Sequence, residues 1–288
     1  MASRQQLKQR ITSVKSTKQI TKAMELVSAS KMRRAQELAI KSRDYRNLAR
    51  QILARLRELT DVQKHRLYLQ RSVKTRLHII VTSNRGLAGA YNSNILKQLT
   101  RELQEDKSQG IASQAIIIGK QGARFIVRFE HVEVVAVYQD FPDHPTANDI
   151  RPILDTIVER FADGQVDAVD ITYTDYKSSI AQEVVIERLL PAAYVEDPVI
   201  PDLEQAVFEP SPKIVLEEVT ERLIESQLNQ AFMESSASEQ SMRMMAMKNA
   251  TDNASDLIED LTLAFNTARQ AAITQELAEI TGGAEAIK

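Results

Sequence analysis

The stretch from 210 to 288 holds the feature that most constrains this fold. No proline follows Pro212 and no glycine occurs before Gly282, so nothing breaks a helix over roughly seventy positions, on the order of 110 Å. Within it, residues recur at alternating spacings of three and four, the a and d pattern of a coiled coil. These residues are Met247, Ala250, Ala254, Leu257, Leu261, Ala264, Ala268 and Ala271. A second helix must therefore lie along this alanine-rich stripe.

The N-terminal stretch supplies a partner for that helix. From Ser3 to about Thr60 the chain has neither proline nor glycine, which predicts a second long helix. Its predicted stripe consists of Val14, Thr17, Thr21, Met24 and Ser28, and later of Ala35, Leu38, Ser42, Tyr45, Ala49, Ile52, Leu56 and Leu59. Because the chain goes out and returns, we expect antiparallel pairing. The C-terminal helix is longer, so about its last twenty residues, roughly 30 Å, should lack an internal partner.

The segment between the two helices alternates strand and helix patterns. Apolar strand patterns occur at 77–82, 115–118, 131–138, 166–174 and 182–190, and helical patterns at 92–106 and 146–161. This alternation predicts a doubly wound, Rossmann-like α/β domain with an antiparallel edge strand. The expected fold class is therefore α/β plus a long antiparallel coiled coil. We expect an N-terminal helix at 1–60, a central domain with linkers at 61–209 and a C-terminal helix at 210–288.

Composition excludes several classes of protein. The chain has no cysteine, which excludes disulfides, thiol catalysis and Cys-ligated zinc. No apolar run approaches the ~18 residues of a membrane span, and residues 1–10 are polar and basic. We therefore expect neither membrane insertion nor a secretory signal, and any role at a membrane would be peripheral.

No motif in the chain predicts an active site. The turn Gly86-Leu87-Ala88-Gly89 lacks the GxGxxG spacing and favours tight packing of a helix on a strand. Gly119-Lys120 resembles the end of a phosphate loop but lacks its upstream glycine and its final Ser or Thr. The histidines lack metal-ligand spacing and are expected to be isolated: His65, His78, His131 and His144. We expect no catalytic residue, no cofactor and no metal.

Charge is concentrated near the N-terminus. In residues 1–36 only Glu25 opposes the basic side chains, which are Arg4, Lys8, Arg10, Lys15, Lys18, Lys22, Lys31, Arg33 and Arg34. Such a face attracts an acidic partner, although a solvated helix surface has the same pattern. No aromatic residues lie between the basic ones, which disfavours nucleic-acid binding.

Motifs at both ends and in the middle resemble the gamma subunit of F-type ATP synthases. Near the C-terminus these are Ser238-Glu239-Gln240, Arg243-Met244, the run from Ala246 to Ala254, Ile273-Thr274-Gln275-Glu276, Glu279 and Gly283-Ala284. In the N-terminal helix they are Arg10-Ile11, Ser13, the run from Ile20 to Met24, Val27 and Ala29-Ser30-Lys31. The middle contributes Ser83 to Gly89 and Tyr91-Asn92, with Asn84 where an aspartate is common.

The resemblance implies a rotor. In this family the coiled coil is the central shaft inside a ring of three alpha and three beta subunits, and the α/β domain lies at its foot. Proton flow through the c-subunit ring turns the foot, and rotation imposes different conformations on three catalytic sites. The implied partners are the alpha, beta and epsilon subunits and the c-subunit ring, with one copy of this chain per complex. The implied location is the cytoplasmic face of a bacterial plasma membrane, peripheral to it.

The resemblance also assigns roles to individual residues, none of them catalytic. Arg269 and Gln270 match residues that meet loops of the beta subunit, and Lys8, Arg10, Arg33 and Arg34 would complement that subunit's acidic lever segment. Met24 and Arg243 match positions where the two helices lie close together and affect coupling. Phe208 and Glu209 match positions near the rotor ring. The chain lacks the insertion and cysteines of photosynthetic relatives, which implies a non-photosynthetic bacterial enzyme complex.

Two alternatives remain at this stage. A dinucleotide-binding enzyme could use the α/β domain for catalysis and the helices for oligomerisation, and it would bind nucleotide tightly and stoichiometrically. A nucleic-acid-binding coiled coil would use the basic face and show strongly salt-dependent affinity for DNA.

Overall fold

The computed structural model describes residues 4–61, 65–178, 181–192 and 206–286, without the side chains at 41–47, 57 and 282–286. Contacts divide the chain into two units, each considered by itself. The first, called the shaft unit, comprises Met1–Ser28 and Arg243–Lys288, and the second, called the domain unit, comprises Ala29–Met242. The three segments expected from the sequence are a different division and stay a prediction.

Two long helices enclose a set of shorter elements in the sequence. The helices are α1 (Arg4–Leu59), α2 (Tyr91–Gln109), α3 (Lys120–Ile126), α4 (Ala147–Ala162) and α5 (Pro212–Ala286), and the strands are β1 (Thr75–Val81), β2 (Ala112–Ile118), β3 (Glu133–Tyr138), β4 (Ala168–Tyr176) and β5 (Gln182–Leu190). At the start of α5, Pro212 occupies the first helical position, where its missing N–H costs nothing, and the Ser211 hydroxyl accepts from the Ile214 N–H at 3.4 Å. Both long helices predicted from the sequence are confirmed.

The five strands form one sheet in the order β3-β2-β1-β4-β5. The first four are parallel, and β5 pairs antiparallel with β4. The predicted α/β sheet with an antiparallel edge strand is confirmed. The first two strands begin earlier than predicted, at Thr75 and Ala112, because polar residues such as Arg76 and Gln114 interrupt the apolar pattern near their starts.

Each face of the sheet has its own core. Ile79, Ile116 and Ile171 pack on one face with residues of α4 and with Ile224 and Leu228 of α5. On the opposite face, Ile80 and Ile117 pack beneath one side of α2, whose buried residues include Tyr91, Ile95, Leu99 and Leu103. The near-continuous apolar pattern of β1 follows from this double burial.

Within the domain unit, α1 and α5 also pack on each other. Ala49, Leu53 and Leu56 of α1 share a buried cluster with Leu216 and Leu223 of α5. The predicted stripe of α1 is only partly correct, because Leu59 and, in the shaft unit, Thr17 are exposed. The predicted stripe residues Ser42 and Tyr45 lie outside the described side chains.

Within the shaft unit, the two helices meet at Thr21 and Thr251. Their buried hydroxyl oxygens are 2.8 Å apart. Arg4 and Ala268 are each 17 residues from their member of this pair, and among the described side chains of α5 Ala272 is the last that is half-buried. Burial on α5 therefore ends close to the point where an antiparallel α1 begins.

The predicted seam of α5 is partly wrong. Five of its eight residues are buried or half-buried, as predicted, but Leu257, Ala264 and Ala271 are exposed; the five are Met247, Ala250, Ala254, Leu261 and Ala268. The residues that take the alternate positions are Thr251, Ile258, Phe265 and Ala272. Spacings of four then three and of three then four satisfy the same heptad rule, and the second buries Phe265 in place of the smaller Ala264.

A network of charged side chains is buried at the amino ends of the parallel strands. The His78 ring and the Asp106 carboxylate, both fully buried, are joined by a 2.7 Å hydrogen bond, and the Arg76 guanidinium lies 3.3 Å from the same carboxylate. The expectation that His78 is isolated is therefore wrong. Burial raises the pKa of Asp106, but the hydrogen bond from His78 and the nearby charges of His78 and Arg76 outweigh it and leave the pKa below its ordinary value.

Asp106→Asn should destabilise the protein in a pH-dependent way. A carboxyl with a lowered folded-state pKa contributes stability above its unfolded value of about 3.9, and this contribution is lost as the pH falls through the folded value. At pH 7 the variant should lose about 3 kcal/mol, because the fully buried His78 ring loses its carboxylate partner and the half-buried Arg76 loses the nearest of its three. Urea denaturation from neutral to acidic pH measures this difference.

Asp155 on α4 is exposed, and Asp155→Asn is the matched control. Its free energy of unfolding should stay within about 0.5 kcal/mol of the parent's. A deficit in Asp106→Asn that does not shrink at acidic pH would contradict this account.

Candidate functional surfaces

The carboxyl edge of the parallel strands is where ligands bind in doubly wound folds. Here Asn84, just after β1, connects three loops. Its side-chain oxygen accepts from the backbone N–H groups of Lys120 at 3.3 Å and Asp140 at 3.1 Å, and its amide donates to the Phe141 carbonyl at 2.9 Å. The edge is thus fixed by protein contacts.

The glycine motifs beside Asn84 serve packing. The turn after β1 is closed by Asn92, whose amide donates to the Ser83 hydroxyl at 2.7 Å and whose oxygen accepts from the Ser83 N–H at 3.0 Å. Gly119 has φ of 94°, and a Cβ there would lie 2.2 Å from the Thr82 carbonyl oxygen. Glycine is needed at 119 because a loop passes closely over β1.

Helix α5 fills the crevice above this edge. The Tyr91 and Ser235 hydroxyls are 2.6 Å apart and buried, and the rings of Phe141 and Phe232 have centroids 4.9 Å apart. A cavity of about 40 Å³ remains between Asn84, Phe141 and Phe232. Small-molecule sites occupy roughly 300 to 1,000 Å³, so this crevice cannot hold a dinucleotide.

The four basic residues that the resemblance assigns to the beta-subunit contact are all exposed. Lys8 and Arg10 are exposed in the shaft unit, and Arg33 and Arg34 are exposed in the domain unit. Nearby, Lys31 makes an ion pair with Asp143 at 2.7 Å.

The end of α5 is an uncovered apolar helix surface. All described side chains from 273 to 281 are exposed, including Ile273 at 44%, Leu277 at 58% and Ile280 at 68%. Arg269 and Gln270, just before them, are exposed as well. We call residues 269–281 the tip of α5.

The remaining predicted residues occupy different surroundings. In the shaft unit, Met24 is half-buried and Arg243 is buried, 7% exposed. In the domain unit, Phe208 packs against the apolar cluster of α1 and α5, and Glu209 is exposed.

In the part of the chain that the structure describes, no three His, Asp or Glu side chains are grouped so that they could hold a metal ion. No helix in those same ranges combines the length and apolarity needed to cross a bilayer.

Comparison with known proteins agrees with this arrangement. The sequence profile of the ATP synthase family matches residues 3–287. A curated ATP synthase gamma chain from Psychrobacter arcticus is 39% identical over 293 residues, covering all of both chains. This chain belongs to the gamma-chain family of ATP synthases. Members of the family are non-catalytic subunits of the complex.

Chains in solved structures of ATP synthases share the fold of this chain. A chain from the Euglena gracilis mitochondrial OSCP/F1/c-ring assembly superimposes with a TM-score of 0.67 at 20% identity, covering 98% of this chain and 93% of its own. A chain from the Tetrahymena thermophila mitochondrial central stalk and c-ring superimposes with a TM-score of 0.62 at 24% identity, covering 80% of this chain and 99% of its own. The resemblance seen in the sequence motifs is confirmed.

The role of Asn84 was missed from the sequence, although its departure from the family's common aspartate was a signal. An aspartate there could still accept from two N–H groups but could not donate to the Phe141 carbonyl. The geometry therefore explains why either residue fits this position.

Substitution of Asn84 should show graded losses of stability. Asn84→Ala removes three hydrogen bonds and should cost about 2 to 3 kcal/mol, whereas Asn84→Asp keeps two and should cost about 1 kcal/mol. Chemical denaturation of the purified parent and variant chains measures both changes in the free energy of unfolding.

The exposed Asn94, on α2 in the same part of the domain, provides matched control variants to Ala and to Asp. Both should change stability by less than about 0.5 kcal/mol. Equal losses for Asn84→Ala and Asn84→Asp would contradict the assigned geometry.

Proposed function

We propose that this chain is the central-stalk rotor of a bacterial F-type ATP synthase. It would turn inside a ring of three alpha and three beta subunits and couple proton flow through the c-subunit ring to ATP synthesis and hydrolysis. The observation that carries the proposal is the tip of α5, where a long helix extends beyond its partner and exposes a run of apolar side chains.

An exposed apolar tip is unfavourable unless other proteins cover it. Isolated helices derive little stability from propensity alone, and uncovered apolar surface favours association. A surrounding apolar sleeve formed by the catalytic ring would cover every side of the tip. Ile273, Leu277 and Ile280 are spaced by four and three residues, so they share one exposed apolar face of the helix, and such a sleeve would pack on that face.

A single rod within a threefold ring supplies the energy difference that catalysis needs. A ligand can shift a conformational equilibrium only through different contacts with the different states. One asymmetric rod meets three otherwise equivalent catalytic subunits with three different surfaces. Rotation of the rod would then exchange the conformations of the three sites.

The assignment of partners to surfaces follows the same proposal. Arg269 and Gln270 would contact loops of the beta subunit, and the exposed Lys8, Arg10, Arg33 and Arg34 would attract its acidic lever segment. Met24 and Arg243 would affect coupling between the helices. Phe208 and Glu209 would lie near the c-subunit ring, and the epsilon subunit would complete the stalk.

The rest of the proposal concerns stoichiometry and location. One copy would serve each complex, since only one rod fits the axis of a ring. The complex would lie peripherally on the cytoplasmic face of a bacterial plasma membrane. The dinucleotide-enzyme alternative is disfavoured because α5 fills the crevice that such an enzyme needs.

Rotation tests this function directly. The full chain is assembled with its alpha and beta subunits, the ring is fixed to a surface, and a probe is attached to the α/β domain. The probe should turn in one direction during ATP hydrolysis. Arg269→Ala should lower the torque several-fold because a charged contact is lost, and the melting temperature of the isolated chain should stay unchanged because Arg269 is exposed.

Lys248→Ala, another exposed cation on α5, is the matched control and should leave the torque unchanged. A probe that stays stationary during sustained ATP turnover would defeat the rotor proposal. An unchanged torque in Arg269→Ala would remove that residue from the contact surface.

A further inference from the structure

Three serines of α5 form a regular series against the α/β domain. Ser235, Ser238 and Ser241 are spaced by three residues and are all fully buried. We call these three residues the serine seam. Serine is a modest helix former, so three buried serines within seven residues of one helix need a tertiary reason.

Each member of the seam bonds to a different element of the domain. The Ser235 hydroxyl lies 2.6 Å from that of Tyr91, the first residue of α2. The Ser238 hydroxyl donates to the Thr174 carbonyl of β4 at 3.1 Å. The amide of Gln182, at the start of β5, donates to the Ser241 hydroxyl at 3.2 Å.

The helical geometry spreads these bonds around α5. At 3.6 residues per turn, each step of three residues rotates the side chain by roughly 60° backwards, so the seam covers an arc of about 120°. Hydrogen bonds are directional, and bonds arriving over such an arc oppose rotation of the helix about its axis in either sense. Apolar contacts, being non-directional, oppose such rotation less.

The small size of serine contributes to the same arrangement. A serine side chain lets the α5 backbone approach the ends of β4 and β5 closely, and its hydroxyl satisfies polar groups that the helix covers. Phe232, about one turn before Ser235, packs on Phe141 and adds apolar contact area. The helix thus contacts the domain at four residues, Phe232 and the three serines, over about two and a half turns.

We propose that the serine seam is the torsional attachment of α5 to the α/β domain, the place where torque applied to the domain enters the shaft. This inference rests on the proposed rotor function. The seam residues are positioning residues, since they touch no reacting group and act by holding α5 at a fixed angle to the sheet.

The test uses the full chain in its complex with the alpha and beta subunits, with a probe on the α/β domain and the ring fixed. The triple variant S235A/S238A/S241A should rotate and hydrolyse ATP. The angular variance of its probe during each pause should rise roughly two-fold, because three directional bonds are lost. Tyr91→Phe removes only the first bond and should give a smaller increase, which keeps the test informative if the triple variant fails to assemble.

Ser226→Ala is the matched control. Ser226 is a buried serine of the same helix, and its hydroxyl has no hydrogen-bond partner in the described residues. The probe on the Ser226→Ala variant should show the same angular variance as the probe on the parent. Parental variance in both the triple variant and Tyr91→Phe would overturn the seam proposal. A parent whose probe never rotates would instead overturn the rotor function, so the two failures are distinguishable.

Discussion

The structure depends on covering one face of a very long helix. Helix α5 runs for 75 residues, and a helix of that length gains its stability mainly from packing of an apolar stripe. In the shaft unit the cover comes from α1, through contacts such as the buried Thr21 and Thr251 hydroxyls. In the domain unit it comes from both α1 and the sheet. Past Ala272 every described side chain of α5 is exposed, and under the proposed function this is the surface that the catalytic ring would cover.

The α/β domain shows how one fold can carry unrelated functions. Its sheet order is that of a doubly wound nucleotide-binding domain, but its glycine turns lack the phosphate-binding motifs and α5 fills the crevice where a ligand would bind. Tyr91, which begins α2 at that edge, bonds to a helix serine. Asn84 secures neighbouring loops to one another rather than to a phosphate. The edge that binds substrates in enzymes thus packs against helix α5 here.

Much of this could be predicted from the sequence because local patterns determine it. The two long helices follow from the absence of proline and glycine, and β5 was placed correctly at 182–190 because its alternation is bounded by clear turns. The phase of the α5 seam could not be predicted, since two heptad phases share Met247, Ala254 and Leu261, and only tertiary packing selects Ile258 over Leu257. The pairing of His78 with Asp106 was also beyond reach, because 28 residues separate them in the chain.

Of the two functional surfaces, one could be predicted from the sequence and the other could not. The exposed apolar tip was predictable from the unequal lengths of two helices, a property of the sequence alone. The serine seam was not, because serines at a spacing of three have no meaning until strands β4 and β5 are seen to end beside them. Such hydrogen bonds join elements far apart in the chain, and single-sequence periodicity carries no information about them.

Pairing of α1 with α5 in the shaft is the central claim, and a cross-link between them tests it most directly. The chain has no cysteine, so the variant T21C/T251C contains one possible disulfide. We predict that oxidation closes this bond in the full complex and that rotation of a probe on the α/β domain continues at the parental rate, because both helices turn together. Failure of the bond to form, or a rotor that stops when it forms, would contradict the account.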